Sequence, residues 1–258
     1  MVTLKLLYER FKFSLTRLPV RSKQQETEII SALIDNGYYV LENFIDKEKC
    51  AEIRDEIDAL ISSDDSLTQW DNTKTDARIL GAENLSKNIK EFHASNRLNN
   101  LSKIFYAEKS EHFFTMASRL EFNGINLGSG GGWHRDSFSP QFKAMLYLSD
   151  VDTDNGPFQY FPKSHRLSHM QLLNRFLKPK QLSKRYEENE INAFTSSHEN
   201  EAEIELTGKA GTLLLFDSSG LHRGSPIRDA SRYALTIYSM RKRSINAAKY
   251  KKFGITSY

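Results

Sequence analysis

Three side chains draw attention for what they could do together. Trp133-His134-Arg135-Asp136 sets an imidazole and a carboxylate two residues apart. On an extended strand residues i and i+2 share a face, so both could reach one ion. A second imidazole, His222, lies just past the apolar run 212–216. Two histidines and one carboxylate are the ligand set of a mononuclear non-haem Fe(II) site that keeps coordination positions open. Ten residues beyond His222, Arg232 offers a planar fork suited to a bidentate grip on a carboxylate. That spacing allows it to lie on the next strand and face back toward the histidines. A lone His-x-Asp is a weak signal. Here it gains weight from the order of the pieces around it: a glycine-rich turn at 128–132, Asn155-Gly156, Phe161-Pro162-Lys163-Ser164-His165-Arg166, then His222 and Arg232.

Such a constellation needs strands to carry it, and the pattern after residue 119 supplies them. Short β-like runs recur at 120–127, 143–148, 157–161, 203–206, 212–216 and 233–238, separated by Gly, Asn and Asp turn signals. Many short strands so punctuated predict a sandwich or barrel of the jelly-roll kind. The segment 167–202 interrupts them with a charged, partly helical insertion, long enough for a lid or a substrate-recognition element. Upstream, Ile29, Ile30, Leu33 and Ile34 give a helical face ending at Gly37. Residues 38–41 read as a strand. Asp46 reads as the N-cap of a helix buried through Cys50, Ile53, Ile57 and Leu60. Residues 62–88 read as loops, and helix is expected again over 98–118. The whole is one domain: a mostly helical flank at 25–118, a jelly-roll core at 119–240 and basic segments at either end.

Taken together, Asn36-Gly37-Tyr38-Tyr39-Val40-Leu41-Glu42-Asn43-Phe44, residues 133–136, Asn155-Gly156-Pro157 through His165, and residues 221–232 resemble the phytanoyl-CoA dioxygenase family of Fe(II)/2-oxoglutarate oxygenases. The pieces span most of 36–240 in the family's order, and the combination is specific where no single piece is. The resemblance implies a double-stranded β-helix with flanking helices. It implies iron held by His134, Asp136 and His222, and Arg232 paired with the distal carboxylate of 2-oxoglutarate. The family places further cosubstrate contacts on the strands before and after the His-x-Asp, where Asn123, Asn126, Met145 and Tyr147 are the candidates. Three protein ligands leave three positions, two for 2-oxoglutarate and one for O2, and oxidation of a substrate C–H bond accompanies release of succinate and CO2. Related halogenases have a small residue in place of the carboxylate, so Asp136 favours hydroxylation; desaturation, epoxidation and ring formation use the same ligands.

Other residues read as structural. His165 belongs to a turn, His93, His112, His169 and His198 lie outside any ligand spacing, and Trp133 packs. Arg135 points away from His134 on a regular strand, and reaching substrate or packing are both open to it. The run 128–132 lacks the Lys-Ser/Thr of a phosphate-binding loop and reads as a mobile turn at the mouth of the site.

Composition narrows the function classes. The single cysteine, Cys50, excludes an intramolecular disulfide and a cysteine-built zinc site, which fits a reducing cytoplasm. No apolar run approaches the ~20 residues of a membrane span, and no secretory signal is expected from the N-terminal pattern. Residues 1–23 carry +5 and residues 241–258 carry +6 within a net +3, leaving the body at −8. Basic ends on an acidic body suggest anionic contacts through the termini. Leu4, Leu7, Phe11, Leu15 and Leu18 would form one helical face, either packed on the domain or lying on a membrane, with mitochondrial targeting a third option. The substrate favoured by this charge pattern is an anionic amphiphile, such as a lipid-linked saccharide or an acyl thioester. The competing readings are a cupin-like binding protein with a non-catalytic metal site and a nucleic-acid-associated oxygenase. Against the second, aromatics are not interleaved with the basic residues of the tail as single-strand binding requires.

Overall fold

The computed structural model describes residues 24–63, 65–124, 128–177, 183–198 and 202–255. The N-terminal amphipathic pattern at 4–18 and the candidate Asn126 lie outside these residues.

Among the described residues, ten strands form two sheets. The larger runs β1(Tyr38–Leu41), β8(Leu213–Asp217), β5(Phe142–Tyr147), β10(Ser231–Arg241), β4(Ser110–Glu121), β3(Asp76–Leu80) and β2(Gln69–Trp70) in spatial order. The smaller runs β7(Ile204–Leu206), β6(Phe158–Tyr160) and β9(His222–Gly224), and all pairings are antiparallel. The two face each other as a jelly roll.

Strand period 2 sorts the large sheet's side chains cleanly. Leu213, Leu215, Phe142, Ala144, Leu146, Leu235 and Ile237 point outward into a core shared with helices. Those helices are α1(Gln24–Asp35), α2(Lys47–Ser63), α3(Lys87–His93) and α4(Asn96–Tyr106). The alternate residues Tyr147, Leu214, Phe216 and Ala234 point inward and meet Phe158, Tyr160 and Leu206 of the small sheet. The helices start where the sequence provides caps: Ser86 Oγ accepts from Ile89 N–H at 3.1 Å, and Ser95 Oγ from Leu98 N–H at 3.4 Å.

Three expectations are corrected. Residues 98–118 are not one helix: α4 ends at Tyr106 and the twelve-residue β4 begins at Ser110. Its Phe113-Phe114-Thr115 run is rich in β-formers, and pairing along β10 on one side and β3 on the other decides the matter. The segment 62–88 holds β2 and β3 as well as loops. The split between a helical flank and a β core at 118/119 therefore fails, because β1, β3 and β4 all belong to the main sheet. Elsewhere the insertion forms α5(Leu167–Leu177) and α6(Glu188–Ser197), and the C-terminal segment forms α7(Ala247–Phe253). Among the described residues no helix is long and apolar enough to cross a membrane.

Candidate metal centre

His134 and His222 are joined by an isolated antiparallel β-bridge, and the strand expected at 133–136 does not form. Each backbone N–H donates to the other's carbonyl, at 2.9 and 2.8 Å, the exchange that sets two side chains abreast in an antiparallel pair. The ring centroids are 4.5 Å apart. Asp136 N–H donates to Ser218 O at 3.0 Å, and its carboxylate turns to the same face as His134. Asp136 Oδ1 is 3.8 Å from His134 Nε2, and Oδ2 is 3.9 Å from His222 Nε2. One donor atom from each residue lies within 4.8 Å of the others. Donors at roughly 2.0–2.2 Å from a shared first-row metal ion have this kind of separation.

Both rings are oriented by their second nitrogen. His134 Nδ1 lies 2.8 Å from Gly132 O, and His222 Nδ1 lies 2.9 Å from Gly220 O. An Nδ1–H donated to a carbonyl leaves Nε2 as the lone-pair donor. Burial lowers the pKa of both rings, and His222, with His134 as the next cause, is pushed down to about 3. Both are therefore neutral near pH 7, the form a metal requires. Burial opposes the charge of Asp136, but Lys143, His222 and His134 outweigh it and hold the carboxyl below its usual range.

The backbone makes room at two glycines. Gly130 has φ +91°, and a Cβ there would come within 2.4 Å of the His134 ring. The glycine-rich run thus folds directly over a ligand. A Cβ at Gly224 would meet the Arg232 guanidinium nitrogens at 3.1 and 3.2 Å.

Arg232 points inward from β10 and is 3% exposed. Its Nη1 donates to Gly156 O, its Nε has no hydrogen-bond partner, and among the described residues no carboxylate pairs with it. Burial lowers its pKa. An uncompensated buried guanidinium is costly, and a carboxylate delivered by a ligand would complete it. Arg232 and the metal-ligand residues line one cavity of about 200 Å³, together with Met145, Lys143 and Arg78. The donor set fits an iron ion, and the unpaired fork fits a dicarboxylate.

The remaining candidates fall differently. Met145 lines the cavity. Tyr147 shares its face but lies behind the lining. Its hydroxyl donates to Leu206 O at 2.8 Å and accepts from Phe158 N–H at 2.9 Å, which fastens the two sheets together. Asn123 is exposed, and its amide donates to Thr73 O at 2.8 Å, outside the cavity. Arg135 is buried, with Nη1 donating to Ser164 O and Ser219 O, so it packs. His165 holds Ile34 O at 2.9 Å in its turn.

Sequence reasoning passed over Lys143 and Arg78. Lys143 Nζ lies 2.6 Å from Asp136 Oδ2 and 3.8 Å from the centre of the Tyr238 ring. Burial works against this ammonium, but Asp136 overrides it and raises the pKa. The signal was available: Lys143, Met145 and Tyr147 share one face of a strand, and a lysine on an inward face is anomalous. Arg78, paired with Asp76 and donating to Ser129 Oγ at 3.1 Å, belongs to β3 in a segment read as loop. The insertion also reaches the site. Arg135 N–H donates to Lys184 O at 2.8 Å, and Arg185 Nη1 donates to Gly130 O at 3.0 Å.

The chain is similar in structure to several enzymes. The epimerase SnoN of nogalamycin biosynthesis, in complex with Fe3+, alpha-ketoglutarate and nogalamycin RO, is 16% identical over 84% of each chain, with a TM-score of 0.65. EctD from S. alaskensis, with 2-oxoglutarate and 5-hydroxyectoine, is 17% identical over 85% of this chain and 76% of its own, with a TM-score of 0.63. The carbocyclase SnoK, also of nogalamycin biosynthesis, is 11% identical over 86% of this chain and 85% of its own, with a TM-score of 0.62. No curated protein sequence matches the chain. At these identities the structural likenesses establish the fold. The profile of the phytanoyl-CoA dioxygenase (PhyH) family matches residues 33–233, and the chain belongs to that family.

Proposed function

We propose that this protein is an Fe(II)- and 2-oxoglutarate-dependent dioxygenase that hydroxylates an aliphatic C–H bond of a small-molecule, lipid or lipid-linked saccharide substrate. The observation that carries this reading is the convergence of donor atoms from His134, Asp136 and His222 within 4.8 Å, in a cavity that also holds the unpaired Arg232. Iron or 2-oxoglutarate in the SnoN and EctD structures supports the same cofactors here.

In this reading His134, Asp136 and His222 would hold the iron, and Arg232 would take the distal carboxylate of 2-oxoglutarate, with Met145 as an apolar wall. Iron, 2-oxoglutarate and O2 together supply the oxidant for the C–H bond. The Gly132 and Gly220 carbonyls keep both imidazoles turned toward the metal. Lys143 occupies one side of the Asp136 carboxylate and limits how it can turn. Phe158 and Phe216 line the cavity beside His222 and restrict water there. The fold also serves an epimerase and a carbocyclase, so the outcome depends on how substrate is held more than on the ligand set.

Fe(II) and 2-oxoglutarate added without O2 should produce the weak visible charge-transfer band of a bidentate chelate. His134→Ala and His222→Ala should each abolish it. An unchanged band in both variants would reject the assignment.

A further inference from the structure

A second cavity, of about 650 Å³, opens beside the metal pocket and shares Asp136 and Tyr238 with it. Apart from Asp136, its charged walls come from parts of the chain with no role in metal binding. Arg241 ends β10, Arg243 lies in the turn that follows, Lys249 stands on α7, and Lys184 comes from the stretch of the insertion that runs beside Arg135. Lys184 Nζ donates to the backbone carbonyl of Asp136 at 3.2 Å, which puts a cation at the junction of the two cavities. Arg241 and Arg243 share one carboxylate, Glu108, at 2.7 and 3.0 Å. The carboxylate that lines the cleft itself, Asp136, faces Lys143 and the metal site. Among the described residues, four cations therefore converge on this cleft, and two of them share Glu108. The wall is also firmly placed: Tyr250 lies 4.8 Å from Phe113, and Phe253 lies 5.1 Å from Phe114. Tyr238, Met240 and Phe253 add apolar surface along the same cleft.

We infer that this cleft is the substrate site and that the substrate carries an oxyanion, a phosphate ester or a carboxylate. Lys184, Arg241, Arg243 and Lys249 bind that group, and the apolar remainder runs along Tyr238 toward Asp136. Which end reacts rests on the proposed iron- and 2-oxoglutarate-dependent function; binding of the anion does not. The two are tested apart by titrating the Fe(II)- and 2-oxoglutarate-loaded protein, without O2, with 1-naphthyl phosphate, 1-naphthylacetate and neutral 1-naphthalenemethanol in a calorimeter. At least one of the two anions should bind more tightly than the alcohol and lose affinity as salt rises, and the tighter one identifies the oxyanion. Arg243→Gln combined with Lys249→Gln should weaken anion binding about tenfold or more and keep the chelate band. Anions that bind no better than the alcohol, or equally well to the double variant, would overturn the inference. A missing chelate band with cation-dependent anion binding would instead remove the proposed function and leave the oxyanion site standing.

Discussion

Lys143 and Arg232 in the metal pocket are 4% and 3% exposed, whereas the side chain of Arg243 on the neighbouring wall is 50% exposed. Both regions are rich in cations, but they hold them differently. In the pocket Lys143 and Arg232 project from strands at positions set by sheet register, and each has a single counter-charge: Asp136 for Lys143, and the ligand's carboxylate, as proposed, for Arg232. On the wall the cations come from a strand end, a turn, a short helix and the insertion, and two of them share Glu108. Burial makes the first arrangement selective for shape and charge, because an unpaired ion there has no water to fall back on. Exposure makes the second a field that attracts anions while tolerating different geometries. The pocket is thus suited to one fixed cosubstrate and the wall to a substrate whose class, more than its outline, is read.

The sharpest break of this comparison would come from Lys143. Replacing it with Met leaves Asp136 without its cation in the metal-free protein, and breaking a buried pair costs about 3–5 kcal/mol. The thermal midpoint of the metal-free Lys143→Met protein should fall accordingly, and bound Fe(II) should narrow the deficit by supplying positive charge. An equal deficit with and without iron would place the role of Lys143 in packing on Tyr238 instead. Next in size, Arg232→Ala should weaken 2-oxoglutarate binding by roughly 30-fold or more, from the ~2–5 kcal/mol lost with one partner of a buried charged pair. It should leave naphthyl anion binding at the wall intact. Near-normal 2-oxoglutarate affinity would move the anchor to Arg78.

The smallest effect separates the scaffold from both regions. Burial first, and then the charge of His112, pushes His93 down to about 4 from an ordinary 6.5. Between those values the unfolded chain takes up a proton that the folded one refuses, so stability falls as pH drops through that window. The midpoint at pH 5 should be lower than at pH 7 by on the order of a few degrees, and His93→Gln should reduce the drop without altering 2-oxoglutarate affinity. An undiminished drop would assign the acid sensitivity to other groups.

How much was legible follows from the range of each signal. The i, i+2 spacing of His134 and Asp136 is a local property, and their donors do converge, although His134 forms only isolated β-bridges and no strand runs through 133–136. The limits of β5, β6, β7 and β8 were visible to within a residue or so because turn residues bound them. β4 was not visible, since its apolar stretch suits a helix or a strand until β10 and β3 pair with it. Lys143 shares a strand face with Met145 and Tyr147 in the sequence itself, but that this face turns inward beside Asp136 follows from the pairing of β5 with β10 and β8. Asn123 carried a plausible amide at a plausible place, yet the chain leaves the sheet at Glu121 and turns it toward Thr73.

The basic tail marks the same boundary most clearly. The order of residues in the chain established that 241–258 is cationic, and that His134, Asp136, His222 and Arg232 are of the right types and order for one site. Charge, side-chain chemistry and strand period are local quantities, present in the chain before it folds. Where the tail's charge goes was decided by pairing and packing: β10 pairs with β4 as far as Arg241, which sets Arg241 and Arg243 beside the metal pocket, and the docking of Tyr250 and Phe253 on Phe113 and Phe114 brings Lys249 to the same cleft. Proximity between segments more than a hundred residues apart depends on which faces meet, and strand pairing and core packing settle that only in the folded molecule.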